Sequence, residues 1–217
     1  MSWTGPGRGG RRGYHHGNLR EALINAALDL IGRKGPAGFT FAEAARAAGV
    51  SAAAPYRHFR DRDALMADVA RRGFELFEQR LTAAWNEGRP SPLAALDAMG
   101  RAYLAFAHDE PAYFSAMFEA ALPLDQHRDL RDAGDRAFNV LRQACEALVA
   151  TLPDGSRPPA MMVALHIWSL SHGIASLFAR GDAARRPVPM TPEELLEAAT
   201  LVYLEGLGIG RGSPAKP

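Results

Sequence analysis

The sequence predicts an all-α protein with a small helix-turn-helix head on a larger helical body. Three observations carry that expectation. The stretch Thr40–Phe59, TFAEAARAAGVSAAAPYRHF, places two short helical patterns either side of a glycine turn. Apolar residues elsewhere recur with the 3.6-residue period of helices, and no stretch alternates as a strand does. Proline and capping residues punctuate the chain where helices start, as in Ser91-Pro92 and Thr191-Pro192-Glu193-Glu194.

The first 13 residues, MSWTGPGRGGRRG, bury almost nothing and are expected to be disordered when free. As part of a basic arm over 1–17, Arg11 and Arg12 suit either a minor groove or a solvated tail. The adjacent His15 and His16 make no metal site alone. Asn18 is placed to cap a helix to about Lys34, with Leu19, Leu23, Ala26, Ala27, Leu30 and Ile31 on its apolar face and Gly35-Pro36 ending it. Phe41, Ala44, Ala45 and Ala48 give the next helix an apolar face, with Thr40 as N-cap. Gly49 opens the turn, Val50 fills the angle and Ser51 is placed to cap the second helix. Such a second helix can lie in a DNA major groove. Asp61 then caps a helix from about Arg62 to Asn86, which at about 1.5 Å per residue extends over roughly 35 Å. This divides the chain into a head over 18–61, a helical body over 62–208 and a tail over 209–217.

Charge follows the same division. Residues 1–60 hold nine Lys/Arg against three acidic residues, a net of +6, whereas the remainder holds 16 against 21, a net of −5. A basic head on an acidic body suits a protein whose head alone meets a polyanion. One cysteine, Cys145, leaves no internal disulfide and no cysteine-based zinc site. No cofactor motif is present. No apolar run is read as long enough to span a membrane, so a cytoplasmic location is expected.

At this level of detail the sequence resembles a known family. AALDLIGRKGPAGFTFAEAARAAGVSAAAPYRHFRDRDALMADVA is similar to the DNA-binding head of TetR-family transcriptional regulators. The shared marks are Ala26-Ala27, Gly35, Thr40, Ala48-Gly49-Val50-Ser51, Tyr56 with Phe59, and Leu65. Ile167–Gly173 also resembles the Trp/His/Gly signature of one C-terminal subclass. The resemblance implies a homodimer on a palindromic double-stranded operator and a C-terminal domain that binds a small-molecule effector. It places Thr40, Tyr56 and His58 where phosphates are contacted. Arg62 stands where the family usually has lysine, a cation retained. It also places Ala52, Ala53 and Ala54, after Ser51, at the base-facing start of the recognition helix. Methyl groups can touch thymine methyls but cannot make bidentate hydrogen bonds to bases. Arg57, the arm arginines or DNA shape must then supply specificity. Pro55 departs from the usual larger aliphatic and is expected to loosen the first turn without losing the helix. Packing of Tyr56 into the core is the competing expectation for that residue.

In the body, Tyr103, Phe106, Tyr113, Phe114, Met117, Phe118, Met161, Met162, His166, Trp168 and Ser169 are candidates for an apolar or aromatic effector pocket, or for plain core filling. His172 reads as a packed histidine. On the helix around residue 170, Ser169, His172, Gly173 and Ser176 form a small polar face. The opposite face, with Val163, Ile167, Leu170, Ile174 and Leu177, joins Leu195, Leu196, Ala199, Val202, Tyr203 and Leu207 of the last helix as the expected four-helix dimer interface. The function expected is that of an effector-responsive regulator, a repressor. An enzyme lacks any Gly-flanked nucleophile, phosphate-binding loop or metal-ligand run to work with. A helical scaffold that no longer binds DNA is the other alternative, because the recognition start is rich in alanine.

Overall fold

The computed structural model describes residues 19–179 and 188–209. All regular structure among them is helical: α1 (Leu19–Lys34), α2 (Phe41–Ala47), a 3-10 turn (Ala54–Arg57), α3 (Arg62–Trp85), α4 (Pro92–Asp109), α5 (Pro111–Phe118), α6 (Arg128–Val149), α7 (Ala160–Ala179) and α8 (Pro192–Gly206). Arg11, Arg12, His15, His16 and the proposed Asn18 cap lie outside the described residues.

Local chemistry fixes most helix starts. The hydroxyl of Thr40 accepts from Glu43 N at 3.2 Å, and Glu43 reaches back to Thr40 N at 2.8 Å, a complete capping box. Asp61 accepts from Ala64 N at the start of α3, and Ser91 from Ala94 N at the start of α4. Thr191 and Glu194 form a second capping box at α8. The end of α2 is a Schellman turn. Val50 N donates to Ala45 O at 3.0 Å, Gly49 N donates to Arg46 O at 3.0 Å, and Gly49 takes φ +72°, a conformation that a Cβ would oppose.

Two apolar cores meet along α3. The first joins Leu23, Ile24, Ala27 and Ile31 of α1 with Phe39, Ala44, Phe59 and the N-terminal half of α3 from Leu65 to Ala70, and it also takes in Ala116 of α5 and Leu130 of α6. The second joins Phe77 and Leu81 of α3 with Phe106, Phe114, Leu148, Val163 and Leu204 from the body helices. α3 packs on α6, α4 and α5 along its length.

α5 ends at Phe118, and the chain just beyond it takes φ +48° at Ala121. One expectation changes here. α7 does contain a segment, Ala160–Phe178, long and apolar enough to cross a membrane, with a mean hydropathy of 1.4. Its fold position accounts for that composition. Val163, Ala164, Ile167, Ile174 and Ala175 are buried against α4, α6 and α8, while Met162, Leu165 and Leu177 remain on the open side.

Candidate nucleic-acid interface and effector cavity

The second half of the helix-turn-helix is shorter than the sequence predicts. Ala54–Arg57 is a 3-10 turn, and its N-cap is Ala53 rather than Ser51, with no side-chain cap. Pro55 causes this. A regular helix would send the N–H of Pro55 to the Ser51 carbonyl, but proline has none. The chain tightens so that Ala54 N reaches Ser51 O at 3.0 Å, and Pro55 O collects His58 N and Phe59 N at 2.9 and 3.0 Å. Pro55 is itself fully buried, so the tight turn is held by packing.

The turn leaves Ser51, Ala52, Ala53, Tyr56, Arg57 and His58 exposed on one side of the head, with Ala54 half-buried. Tyr56 is 63% exposed and stands edge-on to Phe41, with ring centroids 5.1 Å apart, so its ring is anchored while its hydroxyl is outside the core. Thr40 lies at the start of α2, but its hydroxyl is occupied by Glu43, which also binds Lys34 Nζ at 2.8 Å. These contacts hold the Glu43 carboxyl down at about 2, the Lys34 hydrogen bond contributing most. Arg62 faces inward. Its Nε donates to Phe39 O at 2.9 Å, its Nη2 to Pro36 O, and its guanidinium lies 4.8 Å from the Phe39 ring centroid. That places it as a clamp on the α1–α2 loop rather than as a free cation.

The head is tied to the body by ion pairs around Asp68, which is only 6% exposed. Asp68 Oδ1 receives Arg20 of α1 at 3.0 Å and Arg71 at 2.7 Å, while Oδ2 has no hydrogen bond and lies 3.4 Å from Arg72 Nε. Arg72 also grips both oxygens of Glu21 on α1, and this hydrogen bond keeps the Glu21 carboxyl below its ordinary value.

Below the head, α3, α4, α5, α6 and α7 line a half-open cavity of about 400 Å³. Phe74, Phe77, Leu81, Leu96, Met99, Tyr103, Met117, Phe118, Leu130, Phe138, Leu141, Ile167 and Trp168 supply its apolar wall. Exposed Leu124, Arg131 and Asp135 stand at its solvent side. Of the residues expected to line a pocket, Tyr103, Met117, Phe118 and Trp168 do so. Phe106 and Phe114 are core residues instead, and Tyr113 is half-buried beside Gly73. Met162, His166 and Ser169 do not line it, because they project from the exposed side of α7, as does Met161; His166 Nδ1 meets the Tyr203 hydroxyl at 3.0 Å. Phe74, Leu96, Met99, Gly134, Phe138, Leu141 and Ser171 are wall residues that periodicity marked at most as buried.

Behind this wall His172 is packed as expected, among Phe114, Phe118 and Trp168 with centroids 4.7–5.9 Å away. Its Nδ1 lies 2.9 Å from the Tyr103 hydroxyl. Burial raises the Tyr103 pKa well above its ordinary value, and it pushes the Cys145 thiol up to about 12. No group of three or more His, Cys, Asp or Glu side chains that could hold a metal occurs among the described residues.

The expected dimer face needs a correction on α7. Val163, Ile167 and Ile174 are buried within the subunit, at 0%, 4% and 7% exposure, and are not available to a partner. The open face is the small one, Ser169 and Gly173, flanked by Met162, Leu165 and Leu177. On α8, Leu201 and Val202 are exposed, whereas Leu195, Ala199 and Tyr203 are half-buried, as is Leu170 on α7.

Comparison with known families settles the architecture. Residues 23–69 match the pattern of bacterial regulatory proteins of the tetR family, and residues 96–203 match the tetracyclin repressor-like C-terminal domain. The chain belongs to the TetR family of transcriptional regulators. A protein of unknown function from Rhodococcus sp. RHA1 is 29% identical, with 90% of this chain and 98% of that chain covered and a TM-score of 0.75. The TetR-family regulator PfmR from Thermus thermophilus shares the fold at 19% identity, covering 84% and 97% of the two chains with a TM-score of 0.65. A TetR-family regulator from Bordetella parapertussis 12822 does so at 19% identity, covering 88% and 96%, with a TM-score of 0.64. No curated protein matches the chain by sequence. As a TetR-family member the chain has an N-terminal DNA-binding head and a C-terminal helical domain, an architecture of regulators rather than of enzymes.

Proposed function

We propose that this protein is a homodimeric, cytoplasmic repressor that a small apolar effector releases from a palindromic operator. The head over 18–61 binds DNA, and the body over 62–208 binds effector and dimerises. One observation carries the reading. α3 runs unbroken from the head core at Leu65–Ala70 to the cavity wall at Phe74, Phe77 and Leu81. A cavity built on the same rod that seats the head is placed to move it.

The coupling parts are identifiable. Leu130 of α6 belongs to the head core and to the cavity wall at once. Met117 of α5 lines the cavity and presses on Gly73 of α3. Arg20 and Arg72 link α1 to α3 through Asp68 and Glu21. A ligand that fits the cavity in only one arrangement of α5 and α6 against α3 biases where the two heads sit, and differential affinity of this kind is what moves a population. Heads about one DNA turn apart fit successive major grooves; heads displaced from that spacing do not.

On DNA, the exposed set Tyr56, Arg57 and His58 supplies phosphate contacts, with the arm arginines beyond the described residues, while Thr40, whose donors both go to Glu43, fixes the start of α2. Ala52, Ala53 and Ala54 offer only methyl groups to base edges, so shape and the arm carry more of the sequence preference. Dimerisation buries the open face of α7 with Leu201 and Val202 of α8.

The test is anisotropy of labelled promoter DNA titrated with purified protein at several salt concentrations, repeated with a saturating cavity ligand. The reading expects a salt-dependent affinity that the ligand lowers at least tenfold. Unchanged operator affinity at full cavity occupancy would eliminate the induction mechanism.

A further inference from the structure

A small polar cleft adjoins the cavity. It measures about 50 Å³, lies between α4, α7 and α8, and shares Leu96, Gly100, Ile167 and Ser171 with the main chamber, so these four residues form a common partition. The outer side of the cleft carries Asp97, Arg101, Glu193, Glu197 and Thr200. Gly100 keeps the partition thin: a Cβ there would lie 3.0 Å from Leu196 Cδ2.

Ser171 is the unusual member. It is only 3% exposed and sits in the buried stripe of α7 with Ile167 and Ala175. A helical serine commonly satisfies its hydroxyl on the carbonyl one turn back, as Ser169 does on Leu165 O at 2.8 Å. The Ser171 hydroxyl has no hydrogen-bond partner among the described residues. Asp68 Oδ2 is the one buried side-chain polar atom without a partner among the described residues, so the Ser171 hydroxyl is not sealed off; lining both the cavity and the cleft, it is placed to bond a polar group bound there.

The cleft behind it sets the sign of that group. Asp97 is paired with Arg101, while Glu193 and Glu197 have no ion-pair partner among the described residues, leaving two uncompensated carboxylates. We infer that the effector is an apolar or aromatic body ending in a protonated amine, held in the main chamber with the amine donating to Ser171 Oγ and drawn toward the carboxylates on the far side of the thin partition. An alcohol satisfies Ser171 without the charge, and a carboxylate meets repulsion from Glu193 and Glu197. The carboxylates are solvent-exposed, so the discrimination is modest, roughly tenfold between amine and acid. The inference rests on the effector-cavity reading proposed above.

Four probes of one shape test it by calorimetry on the full chain: phenylhexylamine, phenylhexanol, phenylhexanoic acid and hexylbenzene. Expected affinities fall in the order amine, alcohol, acid, with roughly tenfold between first and last. Ser171→Ala weakens the amine and alcohol about three- to tenfold, the worth of one net hydrogen bond, and leaves hexylbenzene unchanged. Glu193→Gln with Glu197→Gln, both on the surface, removes the preference of amine over alcohol. Acid binding as tightly as amine, or a Ser171→Ala loss shared equally by hexylbenzene, overturns the head-group assignment while leaving the apolar cavity standing. Failure of all four probes to bind overturns both the assignment and the cavity reading.

Discussion

Gly73 is where the rod that carries the head meets Met117 of the cavity wall, and Gly73→Ala tests that contact. An added Cβ would stand 2.7 Å from Met117 Sδ, 2.9 Å from Met117 Cγ and 3.2 Å from Tyr113 Cδ1. Ordinary contact begins near 3.4 Å, so the thioether has to withdraw by about 0.7 Å. Two effects on stability oppose each other. Alanine in a helix interior is favoured over glycine by about 0.8–1.0 kcal/mol. Overpacking a filled site costs about 1–3 kcal/mol, toward the lower end here because methionine is flexible. The net is a loss between roughly zero and 2 kcal/mol, a fall in Tm of up to roughly 8 °C at about 2–4 °C per kcal/mol. The functional effect is larger in proportion, because the space open to Met117 is the cavity itself. Phenylhexylamine or hexylbenzene should bind about three- to tenfold more weakly by calorimetry, with the far-UV spectrum unchanged. A rise in Tm by the full helix-propensity gain, together with unaltered probe affinity, would refute the close approach of α3 and α5.

Three further outcomes are expected. Tyr56→Phe and Arg57→Ala should each weaken promoter binding in anisotropy titrations; Arg57→Ala should also lower the slope of log affinity against log salt by about 0.9 if it meets one phosphate. Leu201→Asp with Val202→Asp should convert the dimer to monomers in sedimentation velocity and abolish operator binding while leaving helicity intact, since neither side chain is buried in the subunit. The Glu43 carboxyl is held at about 2 against an ordinary 4.5, so its contribution to the α2 start is complete above pH 4.5 and lost as pH falls through about 2. Amide exchange in α2 should therefore accelerate over that window in the parent protein and not in Glu43→Ala, while Thr40→Ala should cost about 1 kcal/mol at neutral pH.

The parts of the fold that were legible in the sequence are those written locally. Ser91-Pro92, Asp61 and the Thr191–Glu194 box mark helix starts because a cap bonds within three residues of itself. Gly35 and Gly49 mark ends because both carry a positive φ. Pro55 was legible as a perturbation but not in its extent, because the burial that holds the 3-10 turn comes from tertiary packing. The cavity was legible only in part. Tyr103, Met117, Phe118 and Trp168 were visible as aromatics and methionine on helices, yet Leu96, Met99 and Leu141 look like any core residue. Helical period tells which side chains are inside, not which of them lack a neighbour. α7 misled for a related reason: its apolar stripe was visible, but period cannot tell whether a stripe packs on the subunit's own core or on a second copy. The stripe of Val163, Ile167 and Ile174 faces the subunit's own core, and the small face of Ser169 and Gly173 stays open.

The central claim is that two of these heads read one symmetric DNA site. Selection of bound sequences from a random double-stranded pool by the purified full chain tests it most directly. The account predicts an inverted repeat whose half-sites are centred about one helical turn, roughly 10 base pairs, apart. Recovery of no enriched sequence, or of a single unrepeated half-site, would contradict it.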